Sequence, residues 1–147
     1  MVRSAEPRTA TEADAGELVR LEGLCFHSPW TGDHLEQELR RSPKAFFVLG
    51  EPRILAYACF LVVLGEAELL RIGTAPEARR QGLGKKLLDY GFDHLKTLGV
   101  SRVMLEVGAE NHSARALYES FGFRLEGRRN GYYRDGTDAL LYGRGLA

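Results

Sequence analysis

The chain has 147 residues, enough for one domain and too few for two ordinary ones, so a single domain over 1–147 is expected. Hydrophobic residues make up 44% and charged residues 27%, a balance that excludes a disordered chain. Lys and Arg total 20 and Asp and Glu total 20, and the zero net charge argues against a dedicated nucleic-acid binder, which carries a basic excess.

The longest apolar run, 54–64, is shorter than the roughly 20 residues that span a bilayer, so no membrane partner is expected. Residues 1–7 contain no apolar segment of the signal-peptide kind, and a cytoplasmic location is expected. Cys25 and Cys59 are not in metal-ligand spacing and are read as reduced thiols. His27, His34, His94 and His112 are not spaced as a metal set either, so no metal is expected.

In chain order, 2–8 reads as a short edge strand, since Pro7 cannot donate to a ladder. A helix is predicted over 11–25, with Thr11 as N-cap, Asp14 three residues on, and Leu18, Leu21 and Cys25 on one stripe. Ser28-Pro29 breaks the pattern, and Thr31 caps a second short helix that ends near Arg41. Strands are predicted over 45–49 and 54–64, separated by a Gly50-Glu51-Pro52 turn. A tight Gly65-Glu66 connection leads into a strand over 67–74, which Pro76 ends. Leu88, Phe92, Leu95 and Leu98 mark a long helix over 82–98, stopped by Gly99. Val103, Leu105 and Val107 alternate as a strand, and Ala114, Leu117, Tyr118 and Phe121 form another helical stripe closed by Gly122. Strands over 123–133 and 138–144 flank an Asp135-Gly136 hairpin signal. The order β-α-α-β-β-β-α-β-α-β-β describes a mixed α/β fold with one central sheet and helices packed on it.

The segment 79–86, Arg-Arg-Gln-Gly-Leu-Gly-Lys-Lys, lies between a predicted strand and a predicted helix. Glycines there let the backbone approach a ligand, and the unpaired first amides of the helix with its dipole suit an anion such as phosphate. A dinucleotide-binding turn would need glycine at Leu87, and a P-loop would need glycine at Arg79 and Ser or Thr at Lys86. On the glycine pair alone, a plain helix start with surface charges stands level with a phosphate site.

Arg79-x-x-Gly82-x-Gly84, after a strand and Pro76, resembles the acyl-CoA signature of the GNAT superfamily of N-acetyltransferases. The resemblance implies a GNAT-like mixed central sheet flanked by helices, whose middle strands, 69–74 and 103–107, splay to form the acyl-CoA cleft. It implies that Arg79, Arg80, Gln81, Gly82, Leu83, Gly84 and Lys85 hold the pyrophosphate, and that Ile72, Gly73 and Thr74 pair with the pantetheine arm. Thr74 stands where the family usually has Val or another apolar residue.

Glu106 interrupts an apolar strand and shares its face with Met104, opposite Val103, Leu105 and Val107. A solvated or ion-paired carboxylate and a general base in a cleft are both open readings. Asn111 suits an N-cap or a ligand contact, and Tyr118 suits core packing or catalysis. Together, Leu105-Glu106-Val107, Asn111 and 116–123 (Ala-Leu-Tyr-Glu-Ser-Phe-Gly-Phe) resemble the bacterial ribosomal-protein alanine N-acetyltransferases of the RimI type. Ser28-Pro29-Trp30, Glu66-Ala67 with Leu69, Arg128-Arg129-Asn130, Tyr132-Tyr133 and Asp138-Ala139 extend that resemblance along nearly the whole chain. It implies Glu106 as base, Tyr118 as acid, Asn111 and Tyr118 on the CoA arm, and acetyl-CoA as donor, without a metal. It also implies an acceptor at the N-terminal alanine of a ribosomal protein, with Trp30, Tyr132 and Tyr133 at the acceptor side. Gly131 splits the usual Asn-Tyr-Tyr run and Arg134 replaces a common proline, both in the loop expected to flank the acceptor. The alternatives are a GNAT enzyme acting on a small-molecule amine or lysine, and a non-catalytic acyl-CoA sensor that would need neither Glu106 nor Tyr118.

Overall fold

A computed structural model describes residues 3–146, with side chains from residue 6 onward. Seven strands form one sheet: β1 (Arg3–Thr9), β2 (Phe46–Glu51), β3 (Ala56–Val63), β4 (Glu66–Thr74), β5 (Arg102–Gly108), β6 (Arg124–Arg129) and β7 (Ala139–Gly145). Four helices pack on it: α1 (Ala15–Cys25), α2 (Gly32–Arg40), α3 (Leu83–Thr97) and α4 (His112–Ser120). The order of elements is that predicted from the sequence, and the strand order in space is β1-β2-β3-β4-β5-β7-β6. Val2, at the start of the predicted first strand, lies outside the described residues.

Local chemistry accounts for most boundaries. Thr11 donates its amide to the Asp14 carboxylate at 2.8 Å, but a 3-10 turn over Glu12–Asp14 precedes α1, so the predicted single helix is split. The Thr31 hydroxyl accepts the His34 amide at 3.1 Å and starts α2. The β3–β4 hairpin turns on Leu64 (φ 50°) and Gly65 (φ 81°), successive left-handed residues that match the strand twist. Gly99 follows α3 at φ 81°, the left-handed stop expected of it.

The end of the predicted 123–133 strand differs from the structure. β6 stops at Arg129, and 130–138 is a loop. Gly131 turns at φ 59°, and its amide donates to Asp138 Oδ1 at 2.7 Å. Asp138, expected as the first residue of the last strand, therefore belongs to the loop and also binds Arg128 at 2.6 Å. Asp135-Gly136 does form a tight turn, closed by the Gly136 amide on the Tyr133 carbonyl at 2.9 Å, but inside this loop. Tyr132 and Tyr133 are thus loop residues.

The core lies on both faces of the sheet. Toward α3, the Phe47, Phe60 and Phe92 rings meet edge to face, and Gly91 leaves room for them. A Cβ at Gly91 would sit 3.2 Å from Phe47. Toward α1, Phe46 stacks on Tyr57 with ring centroids 6.1 Å apart. Tyr57 lies directly over Gly73 of its neighbour β4, where a Cβ would come within 2.8 Å of the ring.

Two irregularities open the middle of the sheet. In β4, Cys59 pairs with Arg71 and Phe60 with Leu69, so Leu70 is an extra residue, a β-bulge. β4 and β5 run parallel and pair only at Glu66–Arg102, Ala67–Val103 and Glu68–Met104. Beyond Glu68 the two strands diverge.

Phe47 is fully buried where β2 meets α3. Phe47→Ala is expected to destabilise the fold by about 3–5 kcal/mol, the cost of a large core cavity. Chemical denaturation checks this, and a loss below about 1 kcal/mol would mean the site collapses around the missing ring.

Candidate active site

The opened side of β4 faces a cleft of 580 Å³. Its floor is the carboxyl end of β4, with Ile72, Gly73 and Thr74. Its far wall is α4, through Ser113, Leu117 and Phe121, and its near wall is Cys25 and Phe26 at the end of α1. Its mouth is the basic glycine turn, with Arg79, Arg80, Gly82, Gly84 and Lys85.

The turn is shaped for close approach. Arg80 (φ 64°) and Gly82 (φ 75°) are both left-handed, with Gly82 the N-cap of α3. The first intrahelical bond runs from the Lys86 amide to the Gly82 carbonyl at 3.1 Å. The amides of Leu83, Gly84 and Lys85 precede it and fall in the anion-attracting first turn. Gly84 lies against the Phe121 ring and the Thr74 hydroxyl, which a Cβ would meet at 3.8 and 4.0 Å. Arg79 Nε donates to the Thr74 carbonyl at 3.1 Å and binds the turn to the end of β4.

The expected cofactor residues do not all line this cleft. The Gln81 amide turns back to the Glu77 carbonyl at 3.4 Å, and Leu83 is buried in the core. The Asn111 carboxamide caps α4, accepting the Ala114 amide at 3.3 Å. Tyr118 packs edge to face on Phe123, 6.1 Å between centroids. Burial pushes its hydroxyl above the ordinary tyrosine range, while the charge of Arg71 on β4 pulls the other way. Cys25, Phe26, Ser113, Leu117 and Phe121 were not singled out from the sequence as lining a site. Leu117 and Phe121 carried a signal, because both lie on the apolar stripe of α4, a helix that buries none of its residues. Ala114 and Tyr118 of that stripe pack against the core, and Leu117 and Phe121 turn toward the cleft.

Glu106 is half-buried on β5 and, by alternation, faces away from α4. It borders a second cavity, of 380 Å³, together with Glu68, Met104, Glu126 and Arg129. The Tyr133 hydroxyl donates to Glu106 Oε1 at 3.2 Å. Burial first, and then the Glu106 charge, push the Tyr133 hydroxyl up to about 12. Tyr132 meets Tyr133 edge to face and is half exposed, with the Arg129 guanidinium 5.4 Å from its ring. The loop that the sequence placed beside the acceptor therefore touches the strand carboxylate through Tyr133.

Trp30 belongs to a different cluster, centred on Glu22. Glu22 is fully buried on α1. Arg71 grips it through two bonds, of 3.0 and 2.8 Å, the Trp30 amide donates to it at 2.7 Å, and Tyr57 donates its hydroxyl to it. Trp30 itself stacks on His34 at 4.1 Å. Burial alone would raise the Glu22 pKa, but the bonds from Arg71, Tyr57 and Trp30 outweigh it and hold the carboxyl below the usual glutamate range. Among the described residues no group of three or more His, Cys, Asp and Glu side chains could hold a metal ion, and no helix is long and apolar enough to cross a membrane.

A carboxylate held ionised by the fold contributes stability above its unfolded pKa of about 4.3 and loses it as pH falls through the lower folded value. Denaturant midpoints measured from pH 7 to 3 are expected to fall below about pH 4.5, with a shallower decline in Glu22→Gln. Equal slopes in the two proteins would show that Glu22 is not the ionised hub.

Comparison with known proteins accounts for this geometry. The acetyltransferase (GNAT) family matches residues 15–123. A Bacillus subtilis (strain 168) relative, provisionally named a ribosomal protein bS18-alanine N-acetyltransferase, is 33% identical over 144 residues, 96% of this chain and 95% of the relative. The ribosomal protein bS18-alanine N-acetyltransferase of Escherichia coli (strain K12) is 46% identical over 92 residues, 60% of this chain and 62% of that one. A crystal structure of the ribosomal-protein-S18-alanine N-acetyltransferase from Escherichia coli superposes with a TM-score of 0.86 at 32% identity, covering 100% of this chain and 95% of that chain. With the divergent β4 and β5, the glycine turn opening α3 and a matched segment running from α1 to the start of β6, the chain belongs to the GNAT family of acetyltransferases.

Proposed function

We propose that this enzyme transfers the acetyl group of acetyl-CoA to a protein N-terminal α-amine, that of an alanine on a ribosomal protein. The observation that carries the reading is the opened sheet. β4 and β5 separate after three paired residues, the cleft beside β4 has the glycine turn at its mouth, and Glu106 is the one carboxylate that β5 carries. The match to the Escherichia coli enzyme along the whole chain supports the choice of acceptor.

The site's residues fit the donor. The α3 amides, Arg79, Arg80 and Lys85 suit a pyrophosphate, and Gly73, Gly82 and Gly84 leave backbone accessible. Ile72, Leu117 and Phe121 offer apolar surface for a pantetheine-like arm. Acetyl-CoA supplies the acetyl thioester. The amine nitrogen forms the new bond to the carbonyl carbon as the carbon–sulfur bond breaks. Glu106 takes the proton the amine loses, directly or through a water, and Tyr118 gives a proton to the departing sulfur.

The energetics favour an α-amine over lysine. A free α-amino group has a pKa of about 7.7–8.0 and lysine about 10.4, so an N-terminus is already partly neutral at pH 7. A carboxylate is then a sufficient base. Burial holds the pKa of Tyr118 above the ordinary tyrosine value of about 10, so its hydroxyl is protonated at neutral pH and has a proton to give as the carbon–sulfur bond breaks. Tyr133 orients Glu106 through its hydroxyl. Positioning of the two reactants supplies the larger share of the acceleration.

Glu106→Gln and Tyr118→Phe are each expected to lower kcat by about 10²–10⁴-fold while leaving acetyl-CoA affinity nearly unchanged. Steady-state rates with calorimetric binding check this, and unchanged rates in both variants would remove the two roles. For the acceptor, one peptide with a free N-terminal alanine in a ribosomal-protein context is compared with the same peptide blocked at its N-terminus and bearing an internal lysine. Mass spectrometry is expected to find acetyl only on the free alanine. Acetyl on the lysine alone would move the acceptor class, and binding of acetyl-CoA without any transfer would favour a sensor.

A further inference from the structure

We propose that Arg71 is the positioning residue of the acceptor side: its guanidinium holds the loop 26–31 against β4 and so preforms the wall that meets the incoming chain. The inference rests on the reading that this loop flanks the acceptor.

Arg71 lies in the diverging half of β4, directly after the bulge at Leu70. The extra residue turns its side chain to the α1 face, opposite the face that Ile72 and Thr74 present to α3. There it meets the loop at three points. One nitrogen donates to the Ser28 carbonyl at 3.1 Å, the cation lies 3.6 Å over the Phe26 ring, and it stands 5.1 Å from Trp30. The same guanidinium makes two bonds to Glu22, and Glu22 in turn accepts the Trp30 amide. The loop is therefore held by its ring at one end, its carbonyl in the middle and its amide at the other end, all through one cation and its buried counter-ion.

The chemistry calls for arginine. A planar fork reaches both oxygens of Glu22 and the Ser28 carbonyl while its face stacks on Phe26. Lysine keeps the charge beside Glu22 but has neither the fork nor the flat face.

Trp30 is the only tryptophan in the chain, so its fluorescence reports on the loop alone. The test uses the full chain, Arg71→Lys, and the double variant Glu22→Gln with Arg71→Met, which leaves no unpaired buried charge. Folding is verified by circular dichroism and thermal midpoint. Acrylamide quenching of Trp30, acceptor KM, kcat and acetyl-CoA affinity are then measured. In both variants Trp30 is expected to become more quenchable and acceptor KM to rise roughly ten- to hundredfold, the usual cost of a mispositioned binding wall. In Arg71→Lys, which keeps the positive charge that Tyr118 feels, kcat at saturating acceptor and acetyl-CoA affinity are expected to stay within about twofold, the pattern of lost uniform binding. Unchanged quenching with unchanged KM overturns the proposal. So does a parallel fall in kcat, acetyl-CoA affinity and thermal midpoint, which marks a merely structural pair. If the parent enzyme acetylates no free N-terminus, the proposed function fails instead, and the quenching arm still decides whether Arg71 holds the loop.

Discussion

One extra residue in β4 is the constraint on which the rest of the site depends. Side chains on a strand alternate between faces, so an inserted residue exchanges the faces of everything after it. Before Leu70, Leu69 is buried toward α3 and Glu68 faces the other way. After it, Arg71 and Gly73 face α1, and Ile72 and Thr74 face α3 and the cleft. Without the bulge, the arginine would point into the donor cleft and the isoleucine at the buried Glu22. The bulge also bends the strand just where its pairing with β5 ends, after Glu68 and Met104. Charge sorting and cleft opening thus have one local cause.

The bend leaves β4 without a partner along one edge, and the Glu22 cluster stabilises it from the α1 face. A fully buried carboxylate is costly unless its lone pairs are satisfied. Here the bonds come from β4 through Arg71, from β3 through Tyr57 and from the 26–31 loop through Trp30. Gly73 makes room for the Tyr57 ring to reach across. Removing any one partner leaves part of a buried charge unsatisfied, so the bonds of the cluster support one another. That couples the position of the loop to the divergence of the strands.

The sequence made the elements legible because each helix and strand buries one face, and periodicity records which one. The glycine turn was legible because positive φ at Gly82 and an open helix start leave a compositional trace. The bulge left none: one extra residue in an apolar strand is visible only against its partner's register. Glu22 did leave a trace, since it falls on the Leu18, Leu21 and Cys25 stripe of α1. A carboxylate on an apolar stripe implies a buried partner, but the partner, Arg71, lies 49 residues away. The limit of β6 depends on an exchange between Gly131 and Asp138 that strand propensity does not register. The Tyr133 bond to Glu106 exists only because that loop folds back over the sheet.

The sheet itself separates the two substrates in the proposed reaction. The donor residues lie on the face of β4 turned to α3 and α4, whereas Glu106 on β5 points to the face shared with Arg71 and Glu68. In an unbroken sheet those two faces would be sealed from one another by a row of backbone hydrogen bonds. Here the row is missing beyond Glu68, so a thioester entering from one face and an amine entering from the other can meet in the gap. That arrangement lets the acceptor wall vary without disturbing the donor turn. Gly131 and Arg134 sit in the loop that carries Tyr133, on the face proposed for the acceptor, so in that reaction a change of backbone or charge there would bear on Glu106 and leave the α3 amides untouched.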